Sequence, residues 1–436
     1  MNEQPPLRIH ADFPRFTAND PLVPVWNLTP GRGGCIVRFF DTPAVSPSGR
    51  YVACFRLPFE DRLPRPGEAG EVVLIDLHEG PNAERVVATT RGWEPQLGAQ
   101  VNWGGDDTLL FSDVDTATWT PHAVRLDVRT GERRRLDGPI YHASPDGRFI
   151  VGSNPRLMPR TQRGYGVVLP DEHVGSRRGA PEDDGVWLTS TETGERRLLV
   201  STAEVVRQFG AEIGVPDPDE REVYVFHTKF APSGDRLLFT IRHIRAGYDG
   251  PAEPIRGGGD ADLQFAILTC RPDGSDLALA MGNEAWKHGG HHINFYPDGN
   301  ALSMNLGGLA GAAGYPLRFA RVDADGGAIT PILDHVDGSG HPTLHPDGRH
   351  LLTDCYWDER WRRESDGTTP LRWVDLGTGE DREAVRFRTQ QPHPIGTLRV
   401  DPHPCWDRTW RYVTFTTFEG GTRRLFLADM RPLLEA

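Results

Sequence analysis

The sequence predicts an all-β chain, a single seven-bladed β-propeller with loop insertions, on three observations. A Pro-x-Gly turn recurs along the chain, an apolar strand follows each turn, and a second set of strands ends in tight turns. The turn reads Ser46-Pro-Ser-Gly-Arg50, Ser144-Pro-Asp-Gly-Arg148, Ala231-Pro-Ser-Gly-Asp235, Tyr296-Pro-Asp-Gly-Asn300 and His345-Pro-Asp-Gly-Arg349. Proline sets φ near −65° at the first turn position, and glycine accepts the positive φ at its end.

The strands that follow are YVACF, FIVGS, RLLFTI, ALSMNL and HLLTD. Two degenerate copies complete the seven: Trp103-Gly-Gly-Asp-Asp107 before TLLFSD, and Trp406-Asp-Arg-Thr-Trp410 before RYVTFTTF. Outer strands recur as VVLIDLHEG, AVRLDVRTGE, GVWLTSTETGE, AILTCRPDGSD, LRWVDLGTGE and LFLADM. Unequal unit lengths imply insertions at about residues 153–185 and 245–262. The second holds Gly257-Gly-Gly259, read as flexible linker because no helix follows it to make a phosphate loop.

Composition narrows the function classes. A net charge of −13 with no basic stripe argues against nucleic acid as a partner. No apolar run is long enough for a membrane span, and the amino-terminal residues lack a signal-peptide pattern. The five cysteines, Cys35, Cys54, Cys270, Cys355 and Cys405, are scattered and odd in number. That fits a reducing compartment, and the expected location is cytoplasmic.

Counting back five residues from the turn proline gives His227, His292 and His341 in the fourth, fifth and sixth units. With Trp103 and Trp406 as register marks, the same position is Gln100 in the second unit and His403 in the seventh. Equivalent blade positions are related by the propeller's rotation, so these side chains are expected on one ring at a mouth of the central channel. Several imidazoles with a carboxylate suit a metal site. Asp401, two residues before His403 and so on the same strand face, supplies the carboxylate. His291 points away if His292 points in.

A second constellation lies in the first insertion. Arg163-Gly-Tyr165-Gly sets a phenol between two glycines, and Arg177 and Arg178 follow on a polar loop. Upstream the second unit carries Gln96, Gln100, Asn102 and Trp103, then His122. This reads as a substrate loop over the ring. Thr353, Asp354, Cys355 and Trp357 fall near the same end.

The ordered run WEPQLGAQVNW, RTQRGYG, DDGVW, HHINF, GHPTLHPDGRHLLTD and RVDPHPCW resembles the seven-bladed propeller polysaccharide lyases, across about residues 40–430. Those are the oligogalacturonate lyases and their relatives acting on ulvan and on rhamnosyl-glucuronan side chains. The resemblance implies β-elimination beside a uronate, with a uronate-containing oligosaccharide as substrate and a divalent metal (manganese, zinc or calcium). In the ulvan-type branch it implies an active site at Asn102, His122, Tyr165 and Arg177 or Arg178, with Asn102 standing where that branch has a titratable histidine. In the oligogalacturonate branch it implies a metal held by His292 and His403, with Asp401 replacing the first histidine of an H-x-H pair. His341 matches a further ligand, Val400 stands where a cysteine is typical, and His227 matches the region of the catalytic base. The two branches thus nominate different bases.

Such residues suit the chemistry. A cation must neutralise the uronate carboxylate so that the C5 proton becomes acidic, a base must take that proton, and an acid must protonate the leaving oxygen. Tyr165 suits the acid. Hydrolysis would want two positioned carboxylates, and no pair stands out. Similar turns also occur in non-catalytic TolB-like binding propellers, one competing reading; the other is a related uronate-processing enzyme with altered chemistry, given the Asn102 and Val400 departures.

Overall fold

The computed structural model describes residues 6–160, 162, 164–248, 262–309, 317–356, 364–389 and 396–435. Trp357, Arg163 and Gly257-Gly-Gly259 lie outside them. Seven antiparallel sheets follow one another in chain order, a seven-bladed β-propeller as the sequence predicts. Their innermost strands are Cys35–Ile36, Asn102–Trp103, His142–Ala143, Arg221–Phe230, Gly290–Phe295, Thr343–Leu344 and Cys405–Trp406. Among the described residues no helix is long and apolar enough to cross a membrane.

Packing follows from the alternation of side chains along each strand. Apolar faces of neighbouring blades meet in separate clusters. Blades three and four join through Val151, Val186 and Leu188 against Val223, Val225 and Phe239, and blades five and six through Phe319 and Val336 against Leu351 and Val374. The ring closes on itself: Val25–Asn27, at the start of the chain, is the outermost strand of blade seven, pairing Val25 with Ala428 and Asn27 with Phe426.

Irregularities on the inner strands aim side chains into the channel. In blade four the pairing shifts between Val225↔Ile241 and Thr228↔Phe239, so the extra residue falls at Phe226-His227. In blade five the shift between His291↔Asn305 and Asn294↔Ser303 falls at His292-Ile293. Bulges of this kind re-aim a side chain. Gln100, His292 and His403 also take positive φ (52°, 61° and 47°), a conformation uncommon outside glycine.

Blade one departs most. Its inner strand pairs Ile36 with Phe55, and pairing resumes where the Ala53 N–H donates to the Ala44 carbonyl at 2.9 Å. Residues 37–43 between them leave the sheet as a strap. Phe39 and Phe40 on this strap are 1% exposed.

Candidate active site

The histidines at the common blade position do form a ring, and Phe39 of the strap sits inside it. The Phe39 ring centre lies 5.8 Å from His227, 5.9 Å from His292, 5.6 Å from His341 and 4.8 Å from His403. Below the aromatic rings runs a buried polar chain. Arg38 Nε donates to Gln100 Oε1 at 2.9 Å, and Asp41 takes both Arg38 and, at 2.7 Å, Lys229. Lys229 Nζ in turn donates to the Ile293 carbonyl at 2.7 Å, beside His292. Burial opposes ionisation of Asp41, but Lys229, Arg38 and His142 together hold its carboxyl far below the usual range.

Three of the four expected metal ligands converge. The donor atoms of His341, Asp401 and His403 lie within 4.8 Å of one another, all three residues buried. His341 Nδ1 is 3.0 Å from each oxygen of Asp354, which leaves Nε2 free on the other side. The Nε2 atoms of His341 and His403 are buried without a hydrogen-bond partner. Burial, then the neighbouring His341, holds His403 well below the usual histidine value, so its imidazole is neutral. Two orphaned imidazole nitrogens beside a carboxylate are a donor set that fits a divalent cation, and Asp354 is the outer partner that a ligating histidine needs.

His292 takes a different place. It stacks on His341 with centroids 3.8 Å apart, its Nδ1 meets the Gly340 carbonyl at 2.6 Å, and its Nε2 meets the Tyr356 hydroxyl at 3.1 Å. It lines the cluster without joining the three converging donors.

Tyr165 reaches the same cluster through a residue the sequence reading did not single out. Arg399 donates from Nη2 to the Tyr165 hydroxyl at 3.4 Å and grips Asp401 with Nε–Oδ1 3.1 Å and Nη2–Oδ2 2.8 Å. The loop that carries Arg399 is pinned from two sides: Gln96 Nε2 donates to the Thr397 carbonyl and Arg423 Nη2 to the Leu398 carbonyl, each at 2.6 Å. On the other loop Gly164 and Gly166 take φ of 92° and 77°, and a side chain on Gly166 would meet the Pro155 carbonyl at 2.3 Å. Burial raises the Tyr165 phenol above its usual value, with Arg399 offsetting part of this.

The remaining expected site residues lie apart from this cluster. His227 has its imidazole between Phe226 and Tyr141, 4.1 and 5.0 Å away, with Nε2 buried and unpartnered. Burial, then Lys229 and Arg242, keeps it neutral. His122 pairs across blade two with Asp113, and burial lowers its pKa. The adjacent Val114 packs on Val167 and Leu169, so this end of blade two lies under the Tyr165 loop. Asn102 spends both ends of its amide on backbone: Nδ2 donates to the Gln100 and Tyr141 carbonyls, and Oδ1 accepts from the Ala143 N–H. It is a strut between blades two and three. Arg177 pairs with Asp183 on an exposed loop, and Arg178 donates to the Asp219 carbonyl.

No protein-family profile and no curated protein matches the chain. Solved structures do. An oligogalacturonate lyase in complex with manganese is similar at a TM-score of 0.59 and 14% identity, over 96% of both chains. An oligogalacturonate lyase from Vibrio parahaemolyticus follows at 0.58 and 14%, again over 96% of each. The tricorn protease matches at 0.50 and 11%, over 94% of this chain and 35% of its own. At these identities the likeness is one of fold, and at that level the chain is related to the oligogalacturonate lyases.

Proposed function

We propose that the chain is a lyase that cleaves a glycosidic bond next to a uronate by β-elimination, at a centre holding a divalent metal. The observation that carries this reading is the convergence of His341, Asp401 and His403 with Arg399 and Tyr165. Manganese is the first ion to try, since it is the ion in the similar oligogalacturonate lyase structure. When bound, such an ion supplies positive charge to a carboxylate and to the enolate-like intermediate that forms from it.

The residues divide the remaining work by protonation state. Tyr165 keeps its proton at neutral pH, because burial raises the phenol, and so acts as the acid toward the leaving oxygen. The base is a neutral imidazole. His227 has a free, buried Nε2 and is the first candidate; His122, under the same loop, is the second. The substrate is an oligosaccharide containing uronate. All five cysteines are buried, and Cys35, Cys54, Cys270 and Cys405 are free thiols, which supports a cytoplasmic location.

The test is the ultraviolet absorbance of the unsaturated uronate that elimination creates, followed with pectic, ulvan-like and glucuronate-capped oligosaccharides, with and without chelator. A rise that chelator abolishes is the expected result. A flat trace on every substrate, in protein shown to carry metal, overturns the lyase reading in favour of a binding propeller.

A further inference from the structure

Among the described residues the four fully buried arginines come with carboxylates, and so does the half-buried Arg399. Arg38 has Asp41, Arg56 has Glu84, Arg372 has Asp381, Arg399 has Asp401 and Arg423 has Glu60. Among the other described arginines, Arg408 and Arg242, both half-buried, have no such carboxylate. Arg408 spends its guanidinium on the carbonyls of Trp103, Gly104 and Pro145. Arg242, in the second strand of blade four, is the other.

Arg242 stands beside the Tyr165 loop. Its Nη1 donates to Gln162 Oε1 at 2.8 Å, and the Gln162 carbonyl in turn accepts from the Tyr165 N–H. The guanidinium carbon lies 3.3 Å from the centre of the Phe226 ring, which also touches Tyr165 and His227. Its Nε is buried with no hydrogen-bond partner. Apart from burial, the groups that act on its charge are the phenol of Tyr224, which shares a side-chain hydrogen bond with it, and those of Tyr165 and Tyr141, both of which burial keeps protonated. Among the described residues no carboxylate meets it. An uncompensated charge taken out of water costs stability, and a ligand that supplies the counter-charge offsets that cost.

Arg399 is committed to Asp401 and Arg177 to Asp183. We propose that Arg242, with Gln162 beside it, is the specificity-determining residue that binds a carboxylate of the substrate and selects for an acidic sugar. The planar guanidinium fork matches a carboxylate, and the stacking on Phe226 holds its orientation. The inference rests on the proposed function only for the kind of molecule that brings the carboxylate.

The experiment is thermal unfolding with sodium D-glucuronate or D-galacturonate against D-glucose, at matched ionic strength. A monosaccharide has no glycosidic bond to cleave, so the readout is independent of turnover. The wild-type midpoint should rise by about 1–3 °C with either sugar acid and not with glucose. Arg242→Met should be at least as stable as wild type without ligand and should lose the rise. Arg242→Lys, which keeps the charge, guards against a misfolded variant and should retain part of it. No rise in wild type, an equal rise with glucose, or an undiminished rise in Arg242→Met overturns the proposal. A rise that Arg242→Met loses, in a protein without lyase activity, sinks the lyase reading and leaves this one standing. Lyase activity with no rise does the reverse.

Discussion

Asp354 holds His341 at three points: both carboxylate oxygens lie 3.0 Å from Nδ1, and Oδ1 also takes the His341 backbone N–H at 2.7 Å. The imidazole is thereby fixed with Nε2 turned toward His403, whose ring centre is 4.6 Å away. Asp354→Asn should weaken metal binding about 10- to 100-fold while His341 itself is intact. Titration with manganese under a competing chelator measures it, and unchanged affinity would show that the centre does not depend on His341.

The converging and the stacked histidines should separate in a second titration. His341→Ala and His403→Ala each remove a donor atom from the cluster, whereas His292 is engaged with Gly340 and Tyr356. Elemental analysis of the purified variants should show metal lost from the first two and retained better in His292→Ala. Equal loss in all three would make His292 a ligand in its own right.

Tyr165→Phe removes one hydroxyl from a buried position and leaves the ring packed on Phe226. Turnover of a uronate oligosaccharide should fall by about 10²- to 10⁴-fold with an unchanged unfolding midpoint. A variant within threefold of wild type would take the phenol out of the chemistry.

Acid should destabilise the fold before the carboxylates titrate. Burial pushes His142 and His243 down to about 4, against about 6.5 in an unfolded chain. Between those values the unfolded chain binds protons that the folded one refuses, so stability falls as pH drops from 6.5 toward 4. His227 adds in the same direction. Glu94 opposes it, because burial raises its carboxyl well above the usual range. The denaturant midpoint measured from pH 7.5 to 4.5 should therefore fall on the acid side, and a flat profile would refute the balance drawn here.

Phe39 fills the centre of the histidine ring, so Phe39→Ala opens a hole with four imidazoles on its walls. The expected loss of stability is about 3–5 kcal/mol, read by chemical denaturation. A loss below about 1 kcal/mol would mean that the strap is not packed as described.

Much of this architecture was legible in the residues because it repeats. The turn proline marks five blades, and a fixed offset from it found His227, His292 and His341, with Trp406 as the register mark for His403, without knowledge of a single contact. Asp401 followed from strand alternation. The same step taken once more would have reached Arg399, two residues earlier on that face. What does not repeat was hidden. The strap over residues 37–43 has no counterpart in other blades, so nothing in the sequence pattern placed Phe39 among the histidines. Loop order suggested Arg177 and Arg178 beside Tyr165, yet local partners, Asp183 and the Asp219 carbonyl, hold them elsewhere. Asn102 is polar and near the ring position in sequence, but its amide is consumed by backbone groups that only the packing of blades two and three brings together.

The closure of blade seven by Val25–Asn27 has a consequence in time. Its fourth strand is synthesised first and must wait for Thr422–Asp429, near the other end of the chain, before it can pair. Asp401 and His403 belong to that same late blade, while His341 belongs to the one before it. During synthesis the donors are thus assembled last, and an ion captured at this centre would act as a timestamp for completion of the ring.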